Sequence, residues 1–399
     1  MHQVASEIFR RGRSLDHTGA AAQPIPLKPR RSLATATILG LLVLAMGCAL
    51  TQATRQSLTT YTRAMDEVQE SANFFLTDYA NLVKFRKQLE AGGDEKTARA
   101  KPEFPSEFIL PQNPGAPTTK AEKAIQESRE ALEVIRQYND ALVALAEGRP
   151  EAEIKAQINQ FGGALQTLAS IGGTVVPGIE QFSDIATKII KLAQDADNRE
   201  QFKKAVKEGQ KPVNNILTAL EKQTSPIYRA SVPRAKSRQD VAKDNIRLVG
   251  FEIKPFLADF SPPTDPGLSN EMAEFRAEIV AIGTRTKTIP PLPDTFPFQS
   301  GKPEYDNAAH ANMNIFMQVL RVNDALYTQI VTRQNAYYNL MVKYVALLRQ
   351  TRRSLTILSD SLDAPIDIER EAYRLINVAF ELRDAIAVFR NPPVAAGTI

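Results

Sequence analysis

Apolar residues along this chain recur at helical spacing wherever proline and glycine leave room for it. From Gln52 to Ala91 the residues Leu58, Tyr61, Met65, Val68, Phe75, Tyr79, Leu82, Phe85 and Leu89 follow one another mostly at steps of three or four. This predicts one helix of about 40 residues, stopped by Gly92-Gly93. A second helix is expected from about Lys120 to Glu147, capped by Thr118 or Thr119 and closed by Gly148, with Pro150 placed for the first turn of a third. Helical spacing resumes from Ile179 to Glu208 through Phe182, Ile185, Ile189, Leu192 and Phe202, and Gly209 with Pro212 reads as its end. Shorter helices are expected at about 212–223, 237–259 and 268–287. Thirteen of the 25 prolines fall in three loops, at 94–119, 261–267 and 289–303, so the breakers lie between helices as an all-α chain requires.

The longest pattern comes near the end. No proline or glycine interrupts Glu304 to Leu362. Alternating steps of four and three from Phe316 give Leu320, Asn323, Tyr327, Ile330, Gln334, Tyr337, Met341, Tyr344, Leu348, Thr351, Leu355, Leu358 and Leu362, a sustained heptad seam. Asn323, Tyr327, Gln334, Tyr337 and Tyr344 are the candidate interaction residues of that seam; the plainer reading makes its polar members ordinary layers of a long bundle. Asp363 to Pro365 then turns the chain, and residues 366–390 return as a helix with Asp367 and Glu369 at its positive end. The expected fold is therefore an all-α, elongated bundle of long antiparallel helices.

One run stands outside the bundle pattern. Leu33 to Leu50 carries no charge over 18 residues, which as a helix covers roughly 27 Å, close to a hydrocarbon core of about 30 Å. Lys28, Arg30 and Arg31 precede it, and Arg10, Arg11 and Arg13 lie further upstream, which places the N-terminus in the cytoplasm. The expected organisation is a flexible basic tail at 1–31, a transmembrane signal anchor at 32–51 following that tail, and an exported helical domain at 52–399. Two other fates fit the same residues. Ala45-Met46-Gly47 presents small residues to a signal peptidase, giving a cleaved, secreted product. Leu44-Ala45-Met46-Gly47-Cys48 resembles the lipobox of bacterial lipoproteins, with Ala45 where Leu, Val or Ile is usual; the resemblance implies lipid attachment at Cys48.

Charge and composition narrow the function. The first 31 residues hold a net +4 and so does the whole chain, which leaves 43 basic against 43 acidic residues in the rest. The main domain therefore lacks the positive excess of a nucleic-acid binder. Cys48 is the only cysteine, so no internal disulfide forms, and the absence of tryptophan with few glycines favours helix over strand. Of three histidines, only His310 lies beyond the tail, and no HExxH, Ser-x-x-Lys or G-x-G pattern occurs. No catalytic group, cofactor, metal or small-molecule substrate is expected.

Between Lys155 and Glu180 there are 24 uncharged residues, including FGGALQTLASIGGTVVPGI. One reading is a membrane-active hairpin opening at Gly172, Gly173, Pro177 and Gly178. The other is a buried corner, in which Gly162 and Gly163 let helices approach closely and the double glycine makes the turn. Gln157, Asn159, Gln160, Gln166 and Thr167 make insertion costly and favour the corner. The expected function is a non-enzymatic, membrane-anchored protein of a bacterial envelope, acting as a helical scaffold or interaction module. Its partners are the membrane through residues 33–50 and another protein or further copies of the chain. A membrane-perturbing protein using 156–179 and a ligand-sensing ectodomain are the alternatives.

Overall fold

The computed structural model describes residues 52–90, 118–258, 266–289, 303–363 and 367–391, all within the compact unit Leu50–Ile399. The apolar run at 33–50, Cys48 and most of the three proline loops lie outside the described residues. Among the described residues the structure is all helical, with nine helices and no strand. They are α1 (Gln52–Glu90), α2 (Thr118–Glu147), α3 (Glu151–Ile171), α4 (Gln181–Gln194), α5 (Arg199–Ser231), α6 (Pro233–Ala258), α7 (Pro266–Thr286), α8 (Pro303–Ser361) and α9 (Ile368–Arg390).

Helix α8 organises the rest. Its 59 residues span about 88 Å, and successive partners cover successive stretches of it. Arg352 reaches Thr218 at 3.0 Å, Arg349 reaches Glu221 at 2.7 Å, Tyr337 stacks on Tyr228 at 5.6 Å, and Asn323 meets Asn245 at 2.9 Å. Rising numbers on α5 and α6 match falling numbers on α8, so those two helices run antiparallel to it. Helix α9 does the same on another side, with Lys343 to Glu381 at 2.7 Å and Gln350 to Glu371 at 3.1 Å.

Two apolar cores result. The larger joins α1 to α5, α9 and the C-terminal part of α8 around Tyr61, Tyr138, Phe161, Phe202 and Phe389, all essentially inaccessible to solvent. The smaller lies under the N-terminal part of α8, where Met313, Met317 and Leu320 meet Ile246 and Ile253 of α6 and Phe275, Ile279 and Ile282 of α7.

The expected helix from Ile179 to Glu208 and the break at Gly209 and Pro212 need correction. The chain breaks earlier, at 195–198, where Asn198 caps the new helix by accepting a hydrogen bond from the Gln201 N–H at 3.1 Å. Helix α5 then runs through Gly209, Pro212 and Pro226. An interior proline costs a helix about 3 kcal/mol. Burial of Phe202, Ala205, Val206, Val213, Ile216, Leu217 and Leu220 along one stripe offsets that cost. Gly209 is there for proximity: a Cβ on it would lie 2.4 Å from the Phe161 ring.

Candidate interaction surfaces

The uncharged segment forms a closed corner between α3 and α4. Gly172 and Gly178 hold φ of +95° and +74°, a conformation that favours glycine. Val175, Val176 and Ile179 are buried. The backbone N–H groups of this turn find their acceptor in Glu127 of α2, which is fully buried. One carboxylate oxygen accepts from Thr174 N–H at 2.8 Å and Val175 N–H at 2.7 Å, and the other from Val176 N–H at 2.7 Å. A buried carboxylate is tolerable only with such partners. Of the two helix glycines, Gly162 is at a close approach, since a Cβ there would lie 2.4 Å from Ile190, whereas a Cβ on Gly163 would meet nothing within 4 Å. Gly173 faces the Val176 carbonyl across the turn, and Pro177 lies exposed between Val176 and Gly178.

The heptad seam of α8 is filled from within the chain. Tyr337 and Tyr344 are buried, Tyr337 lying between Tyr228 and Phe389, whose ring centroids are 5.6 and 5.1 Å away. Burial pushes the Tyr344 phenol well above its ordinary pKa. Tyr327 packs on the smaller core, Gln334 is half-buried, and Asn323 is held by Asn245 and by the Val319 carbonyl.

What the chain leaves uncovered lies beside this seam. Ile315, Val319, Val322 and Leu326 form a second stripe on α8 at steps of four, three and four, and they are exposed, Val322 by 68%. The Asn245–Asn323 hydrogen bond sets a matching pair beside them. Val241 and Leu248, each 56% exposed, flank Asn245 at positions minus four and plus three, as Val319 and Leu326 flank Asn323. The six side chains make one apolar face of roughly 600 Å², the upper end of what a soluble monomer usually shows. Between Asn307 and Thr332 the formal charges on α8 are Arg321 and Asp324. Both turn to α7: Arg321 holds Glu278 at 2.7 Å and Asp324 takes Arg285.

A separate groove of about 800 Å³ opens further along α8. Met341, Val342, Val345 and Ala346 make its floor, with Tyr338 and Tyr228 at one end, Val378 of α9 in its wall, and Lys222, Arg349 and Arg353 among its lining residues. In the structure Arg349 and Arg352 engage Glu221. The Lys203 and Lys207 ammonium groups likewise meet Asp363, tying α5 to the turn after α8.

Among the described residues no group of three or more His, Cys, Asp or Glu is arranged to hold a metal ion, and no helix is long and apolar enough to cross a membrane. The side chain of His310 lies outside the described residues. Compared with protein-family models, with curated proteins and with solved structures, the chain has no match.

Proposed function

We propose that this chain is a non-enzymatic, membrane-anchored envelope protein that acts as a helical scaffold by pairing with a second copy of itself through the α6–α8 face. The observation that carries the reading is the exposed stripe Ile315, Val319, Val322 and Leu326 with Val241 and Leu248 beside it. Its spacing is that of a helix seam. Because the α8 stripe presents no charge, stripe can meet stripe without like-charge repulsion, as an isologous two-fold contact demands. Roughly 600 Å² per copy approaches the ~800 Å² each partner buries in a stable interface.

The anchor is the uncharged run Leu33 to Leu50 with Lys28, Arg30 and Arg31 on its cytoplasmic side. The helical body then stands outside the inner membrane, and an anchored copy meets its partner at the raised local concentration of a membrane surface.

The test is energy transfer between donor- and acceptor-labelled copies of the full chain in lipid vesicles at low protein density. Transfer above the random-collision level, returning to that level in a Val322→Glu, Leu326→Glu variant, is the expected result. Random-level transfer in the unmodified chain, or unchanged transfer in the variant, refutes the reading; the face would then belong to a different protein.

A further inference from the structure

The groove on α8 is a different surface from the pairing face and carries its own inference. We propose that it binds a single-chain amphiphile with a carboxylate head, the head held by Arg353 and Lys222 and the chain lying along Val345, Ala346, Val342 and Met341 toward Tyr338 and Tyr228.

The length of the groove suits an extended chain. From Tyr338 to Arg353 the helix rises about 22 Å, the reach of an extended chain of about sixteen carbons. The groove has a volume of about 800 Å³. The floor is apolar, and Val342 and Tyr338 are 44% and 58% exposed within it. A partly open apolar trough with a few charged groups toward one end is the usual form of a small-ligand site.

Charge sets the head group. Arg349 is already engaged, with Nε and one terminal nitrogen on the same Glu221 oxygen at 2.7 and 2.6 Å. Arg353 is not: its nearest carboxylate, on Glu371, is 3.9 Å away and is itself held by Arg374 and Gln350. Lys222 has no acidic partner among the described residues. One guanidinium fork and one ammonium are thus left facing a trough whose floor is apolar and whose remaining polar lining is Thr224, Ser225, Gln350 and the Arg349–Glu221 ion pair. A planar carboxylate matches the fork bidentately.

The experiment uses the full chain in lipid nanodiscs and a diazirine-bearing palmitate analogue, with labelled peptides mapped by mass spectrometry. Label in the membrane-proximal N-terminal segment serves as the internal standard for probe dissolved in lipid. The expected result is label on residues 338–353 that excess palmitate removes and excess hexadecanol does not. Arg353→Glu and, separately, Val342→Asp should each lower that label at least tenfold relative to the standard, with unchanged helical circular dichroism and thermal midpoint. Val342 is partly exposed already, so its replacement leaves the cores intact. Label confined to the N-terminal segment overturns the proposal. So does competition by hexadecanol equal to that by palmitate, or labelling of both variants at the unmodified level. None of these outcomes bears on pairing through the α6–α8 face.

Discussion

Replacing Glu127 should unfasten the α3–α4 corner. The side chain is fully buried and its two oxygens accept three backbone N–H groups, from Thr174, Val175 and Val176, at 2.7 to 2.8 Å. A hydrogen bond to a charged group contributes roughly 1.5–3 kcal/mol net. Three such bonds do not add fully, and the burial of the carboxylate itself opposes them. Glu127→Ala removes that opposing cost but strands three donors in an apolar corner, and the expected net loss is about 3–5 kcal/mol. For a protein whose total stability is on the order of 5–15 kcal/mol, that is a large fraction. Glu127→Gln keeps one acceptor oxygen and turns an amide N–H₂ toward a donor, so it should fall between Ala and the unmodified chain. Two readouts apply: the urea unfolding midpoint, and hydrogen exchange of the amides at 174–176. Exchange at these three should speed up by at least tenfold, with the amides of α8 much less affected. A stability change below about 0.5 kcal/mol with unchanged exchange at 174–176 would refute the idea that this carboxylate holds the corner.

The neighbouring glycines predict opposite signs. Gly162→Ala drives a Cβ to 2.4 Å from Ile190 and should destabilise by about 1–3 kcal/mol, whereas Gly163→Ala enters open space and should stabilise by up to about 1 kcal/mol; urea midpoints of the two variants decide it. Burial raises the phenol pKa of Tyr61, Tyr138 and Tyr344 well above the usual tyrosine value, desolvation being the largest cause for each. The folded state therefore keeps protons that the unfolded chain loses near pH 10. Stability from these groups is complete below pH 10 and falls above it, by about 1.4 kcal/mol per pH unit for each tyrosine. Tyr344→Phe should make the fall between pH 10 and 11 shallower; an identical slope in the variant would contradict this.

Much of the helix pattern was legible because its punctuation is local. Gly148, Pro150 and the uninterrupted run after Pro303 fix boundaries within a residue or two of those observed. Helix α5 was misread for the same reason. Gly209 and Pro212 carry a strong local preference, and the buried stripe from Phe202 to Leu220 outweighs it through contacts with distant helices. Glu127 carries a signal in its position. It stands four residues before Ala131 and seven before Val134, in register with the core of α2, which is an odd place for an acid unless something on a neighbouring element needs it. The uncovered stripe at 315–326 shares its helix with the stronger seam that Phe316 begins. Asn245 and Asn323 meet across 78 residues of sequence, and periodicity alone holds no trace of that pairing. The groove was invisible for a similar reason. Its residues run from Glu221 to Val378 on three helices, and only packing brings Tyr228 beside Tyr338.

The central claim is that two copies meet on the α8 stripe. Its most direct test is cross-linking in cells of a chain carrying Cys48→Ser, so that the only thiol is one introduced at Val319, Val322 or Leu326 in turn. Lys191→Cys, on the exposed side of α4, serves as the control. With a short bismaleimide, at least one of the three stripe positions should yield a species of twice the chain mass while the control does not. Absence of that species at all three positions, or equal yield at Lys191→Cys, would contradict the account.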